Sequence, residues 1–123
     1  FLNNKPLEIL EFNKDYSLVS IKKEAIGNVV CGDCPDYMKE LLVKYHRAEP
    51  VKGLNDKVTL TSAYHAIPKY YISTRNDLAV PYALQQQMIT ANGTVKKVFE
   101  LETSHLPFVV KPGEFLTILN QIK

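Results

Sequence analysis

Two β-rich runs constrain this chain more than anything else in it. "IPKYYIST" (residues 67–74) and "VKKVFELE" (residues 95–102) are separated by "RND" and "LAVPYALQQQMITANG". In that intervening stretch Pro81 suits the opening of a helix and Asn92-Gly93 suits its close. A second helix is expected over "KPGEFLTILNQIK", where Phe115, Leu116, Ile118, Leu119 and Ile122 are the apolar positions. Strands spaced by helices pair in parallel through right-handed crossovers. Two strands make too small a sheet to stand alone, because faces and edges both need cover. Residues 67–123 therefore read as the trailing edge of a larger α/β sheet.

The first half has a different tenor. Residues 7–12 ("LEILEF") and 16–21 ("YSLVSI") alternate apolar and polar side chains around "NKD", the pattern of a small hairpin. "GNVVCGDCPDYMKELLVKYHRAEP" then supplies a helix, with Asp33 or Cys34 as its cap and Pro35 at its first position. Its apolar stripe is Tyr37, Met38, Leu41, Leu42 and Tyr45, and Glu49-Pro50 stops it. Residues 51–66 read as loop, with a short extended piece at 58–60. The whole of residues 1–66 is expected to be a lid of hairpin plus helices.

Bulk properties exclude some functions. A chain of 123 residues, 46% hydrophobic and 23% charged, is expected to fold as one globular domain. A net charge of +2 with no lysine-arginine cluster argues against a nucleic-acid partner and for a small molecule or a protein. No apolar run is long enough to cross a bilayer, so no membrane partner is expected. Two cysteines, Cys31 and Cys34, do not make a secreted disulfide framework, and a cytoplasmic, reducing location is the expectation.

In parallel α/β sheets, catalytic groups collect beyond the carboxyl ends of the strands. That rule selects "STRND" after the first strand and "TSH" after the second, which carry Asp77 and His105. The two are 28 positions apart, about one crossover unit. On neighbouring strands the carboxylate would accept a hydrogen bond from Nδ1–H, fix the tautomer and stabilise the imidazolium. Nε2 is then free to take a proton from a nucleophile. Alone, an aspartate after a strand is usually a turn residue, and a single histidine is usually surface or satisfied core. Their order on consecutive strand ends carries the signal, since it matches the last two members of an α/β-hydrolase triad.

These residues also carry a resemblance. "PKYYISTRNDLAVPYALQQQMI" followed by "VFELETSHLPFVVKPGEFLTIL" resembles the C-terminal part of the α/β-hydrolase superfamily. More narrowly it looks like the esterase and hydroxynitrile-lyase group that includes plant methyl-ester esterases. The shared pattern runs strand, x-x-D, x-x-x-P helix, strand, small-small-H, then a Pro-opened helix. "NVVCGDCPDYMKELLVKYHRAEP" is similar to the lid of that group, where an x-D-C-P/S segment opens a lid helix. The likeness runs from about Tyr16 to Ile122.

The resemblance implies an α/β fold, the C-terminal portion of a hydrolase sheet with a small lid or cap subdomain. It makes Asp77 the triad acid and His105 the general base of a serine carboxylic-ester hydrolase acting on a small ester, with no metal or organic cofactor. In the lyase branch a lysine follows the histidine. Here Leu106 stands there, followed by Pro107 and Phe108, which implies an esterase rather than a lyase and an apolar substrate pocket shaped by Leu106 and Phe108.

One member is missing. The nucleophile should be a serine in a G-x-S-x-G elbow, and Ser17, Ser20, Ser62, Ser73 and Ser104 all lack the flanking glycines. The implied partner is the N-terminal half of the hydrolase, carrying that serine and the oxyanion hole. Without it this chain is expected to be inactive, a C-terminal fragment. Such a fragment should expose Tyr70, Tyr71, Phe99, Leu101 and Phe108 and aggregate or form a homodimer.

Three alternatives compete. "NVVCGDCPDYMKELL" reads locally as strand, C-x-x-C and helix, the arrangement of a thiol-disulfide oxidoreductase using Cys31 and Cys34. Against it, the chain goes into a helix at Pro81 where that fold needs a β-hairpin. A zinc site of Cys31, Cys34, His46 and His65 suffers from the long gap between the histidines, and two small buried hydrophobes are the plainer reading of the cysteines. A non-catalytic binding fragment is the third; it should stay folded and monomeric without a partner sheet.

Overall fold

The computed structural model describes residues 8–123, so Leu7 of the expected first strand lies outside the described residues. Two compact units emerge. One holds residues up to Gly27 with Pro35–Thr59; the other holds Asn28–Cys34 with Leu60–Lys123. This division differs from a boundary after residue 66, because residues 28–34 and 60–66 go with the second unit.

In the first unit, β1 (Leu10–Phe12) and β2 (Leu18–Ile21) form the hairpin, with Leu10 opposite Ile21 and Phe12 opposite Val19. The turn is held locally. Asn13 Oδ1 accepts the Leu18 N–H at 2.9 Å, and Asp15 Oδ1 accepts the Ser17 N–H at 3.1 Å and its hydroxyl at 2.7 Å. Two helices follow where one was expected: α1 (Lys23–Cys31) and α2 (Asp36–Tyr45). Gly27 interrupts the apolar pattern of α1 for a steric reason, since a Cβ there would lie 3.1 Å from Lys39 Cβ on α2.

The Glu49-Pro50 dipeptide, read as a helix stop, is also a strand. β3 (Glu49–Pro50) pairs antiparallel with β2, setting Val19 opposite Glu49 at the sheet edge, where a proline is tolerated. The stretch expected to be loop contains α3 (Val51–Asn55) and, in the second unit, α4 (Ser62–Ala66), and no strand forms over 58–60. Both helices are single turns, too short for a periodic apolar pattern to announce them.

The second unit holds the expected strand-helix-strand-helix series: β4 (Lys69–Thr74), α5 (Tyr82–Asn92), β5 (Val95–Leu101) and α7 (Pro112–Leu119), with the short α6 (Pro107–Val110) between the last two. Pro81 is the N-cap of α5. Gly93 closes it in the left-handed region at φ 67°, its N–H reaching the Ile89 carbonyl at 3.3 Å. β4 and β5 pair in parallel, from Lys69 opposite Val95 to Thr74 opposite Leu101.

The core of this unit is Phe99, Leu101 and Ile118, flanked by Tyr70, Ile72 and Phe115. This corrects one expectation. Phe99 and Leu101 are not uncovered, because α7 lays Ile118 and Phe115 against that face of the sheet, and each buried side chain contributes about 2 kcal/mol. Phe108 is exposed as expected, with its ring edge-on to Phe115, and Tyr70 and Tyr71 are half-buried. No helix among the described residues is long and apolar enough to cross a membrane.

Candidate active site

Pairing between the two parallel strands does not stop where the strands end. The Arg75 N–H donates to the Leu101 carbonyl at 3.0 Å, and the Asn76 N–H to the Thr103 carbonyl at 3.0 Å. The loops after β4 and β5 therefore leave the sheet side by side. Side chains reinforce this on the outer surface: the Arg75 guanidinium meets Glu100 at 3.0 Å and Glu102 at 3.2 Å and lies over the Tyr82 ring. The Tyr82 hydroxyl donates to Glu100, and that bond pushes its ionisation above the usual phenol value.

Asp77 and His105 sit at the tips of these loops and meet. His105 Nδ1 lies 2.9 Å from Asp77 Oδ2. Asp77 is only 5% exposed, and a buried carboxylate is costly unless every lone pair finds a donor. Here they do. Oδ1 accepts the backbone N–H groups of Ala79 at 2.9 Å and Val80 at 2.8 Å, while Oδ2 accepts the Thr74 hydroxyl at 2.8 Å along with the imidazole. An acceptor at Nδ1 fixes the proton there and leaves a lone pair on Nε2. The His105 side chain is 41% exposed, and Nε2 has no hydrogen-bond partner among the described residues.

Tyr71 faces the same carboxylate. Burial raises its phenol above the ordinary value, and the negative charge of Asp77 raises it further. Beside the pair lies a groove of about 330 Å³, lined by Tyr71, Ile72, Met88, Phe108 and Phe115 with Thr74, Gln85 and the pair itself. Leu106, expected to shape such a pocket with Phe108, is not among the lining residues. It is the N-cap of α6, and residues two apart at a helix start face different sides.

The histidine loop has a second anchor. The Ser104 N–H donates to Asp33 Oδ2 at 2.7 Å, and the Ser104 hydroxyl donates to Asp33 Oδ1. Asp33 therefore does not cap α2, whose N-cap is Pro35 with no side-chain hydrogen bond. Its neighbours Cys31 and Cys34 are buried and joined as a disulfide, with Cα atoms 5.2 Å apart.

That pairing bears on the competing uses of the cysteines. Cys31, Asp33 and Cys34 are the one group of potential metal ligands clustered among the described residues, but the two sulfurs are bonded to each other. His46, counted in the zinc alternative, instead meets the Ser20 hydroxyl through Nε2 at 3.0 Å. Nor does the C-x-x-C follow a strand as the oxidoreductase reading requires; Cys31 is the last residue of α1.

Three residues around the pair do not read as part of the site in the sequence, where Asp33 has a helix-cap role instead. Thr74 carries a local signal, a strand-end hydroxyl three positions before an aspartate. Gln85 sits in a run of three glutamines that nothing ranks. Asp33 acts on a residue 71 positions away, beyond any local pattern.

No protein-family model matches the chain. It is 28% identical over 106 residues to a provisionally named chloroplastic methylesterase (number 11) of Arabidopsis thaliana, a match taking in 85% of this chain and 27% of that protein. To a second such methylesterase of the same plant (number 13) it is 37% identical over 78 residues, 62% of this chain and 17% of that protein. Against the crystal structure of a methylesterase from Arabidopsis it reaches a TM-score of 0.81 at 22% identity, covering 92% of this chain and 51% of that one. The chain thus spans less than a third of the length of these curated relatives and about half of the structural neighbour. It has the fold of the C-terminal portion of an α/β-hydrolase, and its relatives in sequence are methylesterases.

Proposed function

We propose that this chain supplies the acid–base pair of a serine carboxylic-ester hydrolase, with Asp77 and His105 in those roles and the nucleophile on a separate polypeptide segment. The observation that carries the reading is the 2.9 Å contact between His105 Nδ1 and a buried Asp77, with Nε2 open beside an apolar groove. Esterase relatives support the reaction class.

In this reading Nε2 takes the proton of the serine hydroxyl as its oxygen bonds to the ester carbonyl carbon. Asp77 stays ionised throughout and balances the imidazolium. The same proton passes from Nε2 to the departing alkoxide, releasing the alcohol and leaving an acyl-serine. Nε2 then takes a proton from water as its oxygen bonds to the acyl carbon, and gives that proton to the serine oxygen as the acyl–serine bond breaks, releasing the acid and restoring the serine. The groove would take an apolar acyl or alcohol group, with Phe108 at its edge. Leu106 occupies the position where a lyase carries lysine, which favours ester hydrolysis. The chemistry needs no metal or organic cofactor.

Mixing the chain with a polypeptide that carries the preceding strands and a G-x-S-x-G serine is expected to yield cleavage of a nitrophenyl ester. His105→Ala should abolish it, and Asp77→Asn should lower the turnover rate about 10⁴-fold, the scale seen when a triad aspartate is neutralised. Activity that survives His105→Ala overturns the assignment.

A further inference from the structure

One buried side chain in the second unit does more than close a helix onto a sheet. Gln85, on the first turns of α5, is 1% exposed and uses both ends of its amide. Oε1 accepts the Thr74 N–H at 3.0 Å. Nε2 reaches the Thr74 carbonyl at 2.9 Å, the Thr74 hydroxyl oxygen at 3.1 Å and the Val80 carbonyl at 2.8 Å. Thr74 is the last residue of β4 and Val80 stands just before the α5 cap, so one amide grips both ends of the loop that presents Asp77.

The direction of these bonds matters. A threonine hydroxyl has one proton. Asp77 Oδ2, 2.8 Å away, can only accept, so that proton points at it, while the two amide protons of Gln85 serve the Thr74 and Val80 carbonyls and at most share one with the hydroxyl oxygen. Oδ1 is already filled by the N–H groups of Ala79 and Val80. Only Oδ2 is left to face His105, and the hydroxyl holds it in place.

We infer that Thr74 and Gln85 are positioning residues which, by orienting the Asp77 carboxylate, decide which imidazole nitrogen of His105 carries the proton. Neither touches Nε2 or any reacting atom. The inference rests on the Asp77–His105 reading above, and a proton on Nδ1 is the condition for Nε2 to act as a base. An anchor that served only to fasten α5 to β4 would need no hydroxyl between the amide and the carboxylate.

Long-range ¹H–¹⁵N correlation on the labelled 123-residue chain, at a pH where its imidazoles are neutral, reads the tautomer of His105 directly. In the wild-type chain the proton should reside on Nδ1. Thr74→Val, which keeps the side-chain volume, should raise the Nε2–H share about fivefold or more, as expected for losing a hydrogen bond to a charged group. Thr74→Ser should return it to the wild-type share. Gln85→Leu should move it the same way as Thr74→Val, with far-UV circular dichroism confirming that each variant is folded. A folded Thr74→Val or Gln85→Leu chain with the wild-type tautomer overturns the positioning role while leaving the pair intact. A wild-type chain with its proton on Nε2 overturns the Asp77–His105 reading itself, and the positioning role with it.

Discussion

Two aspartates in this molecule sit in turns after β-strands and use the same local chemistry, yet only one of them meets a distant imidazole. Asp15, between β1 and β2, accepts both the N–H and the hydroxyl of Ser17 and has no partner beyond its own turn among the described residues. Asp77 likewise accepts backbone N–H groups two and three residues on, and then adds Thr74 and the imidazole of a residue 28 positions away. The first is in solvent and the second is 5% exposed. Turn chemistry alone thus produces a well-bonded carboxylate. What turns it into a candidate reagent is burial together with one long-range partner.

The comparison can be broken or sharpened by experiment. The largest expected effect is on stability at the buried member: Asp77→Ala leaves the Ala79 and Val80 N–H groups and the Thr74 hydroxyl without their acceptor, at a cost of about 3 kcal/mol in urea unfolding. Asp15→Ala should shift the same curve far less, since water replaces its partners. Equal shifts would erase the distinction drawn above.

A smaller effect is expected at the other anchor of the histidine loop. Asp33→Ala removes both acceptors of Ser104 and should cost about 1–2 kcal/mol, with faster amide exchange at Ser104 as its local signature. An unchanged exchange rate would show that the loop does not depend on that carboxylate.

Tyr71 sharpens the comparison through charge. Because burial and then Asp77 raise its phenol, the folded chain ionises there later than the unfolded chain. Its contribution to stability is whole below the ordinary phenol value and is lost as pH rises through the raised one. Asp77→Asn should bring the Tyr71 transition, followed by phenolate absorbance, part of the way back, leaving the portion due to burial.

The smallest effect belongs to Asp15, whose carboxyl is lowered first by the Ser17 hydroxyl and then by the Ser17 N–H. A lowered carboxyl lends stability above the ordinary carboxylate value that is lost as pH falls through the folded one. At a solvent-exposed turn this should be barely visible in unfolding curves. Ser17→Ala should nonetheless move the Asp15 carboxyl titration upward in ¹³C spectra; a titration that stays put removes the hydroxyl as its main cause.

The second unit was the more legible of the two in the amino-acid sequence, for identifiable reasons. Pro81 and Gly93 punctuate α5 at backbone positions that suit those residues, and the two β-rich runs are long enough to be unmistakable. Parallel pairing followed from their spacing, and Asp77 and His105 followed from the strand ends. The first unit offered weaker signals. Gly27 is a close approach to Lys39 and breaks the apolar pattern of α1, so of the two helices only α2, opened at Pro35, was expected. The dipeptide Glu49-Pro50 is too short for any alternation to mark a strand. Gln85 stayed hidden and Asp33 reads as a helix cap, because their value lies in what they touch and a single sequence ranks residue types rather than contacts. Leu106 is adjacent to the histidine in sequence yet is not among the residues that line the groove.

The grip of Asp33 on Ser104 carries a consequence for how the histidine's loop comes into being. Closing a circuit of 71 residues loses more chain entropy than closing the crossover between β4 and β5, so the sheet can form before that grip does. Assembly would then end at the histidine, and the same step, run backwards, would be among the first to open.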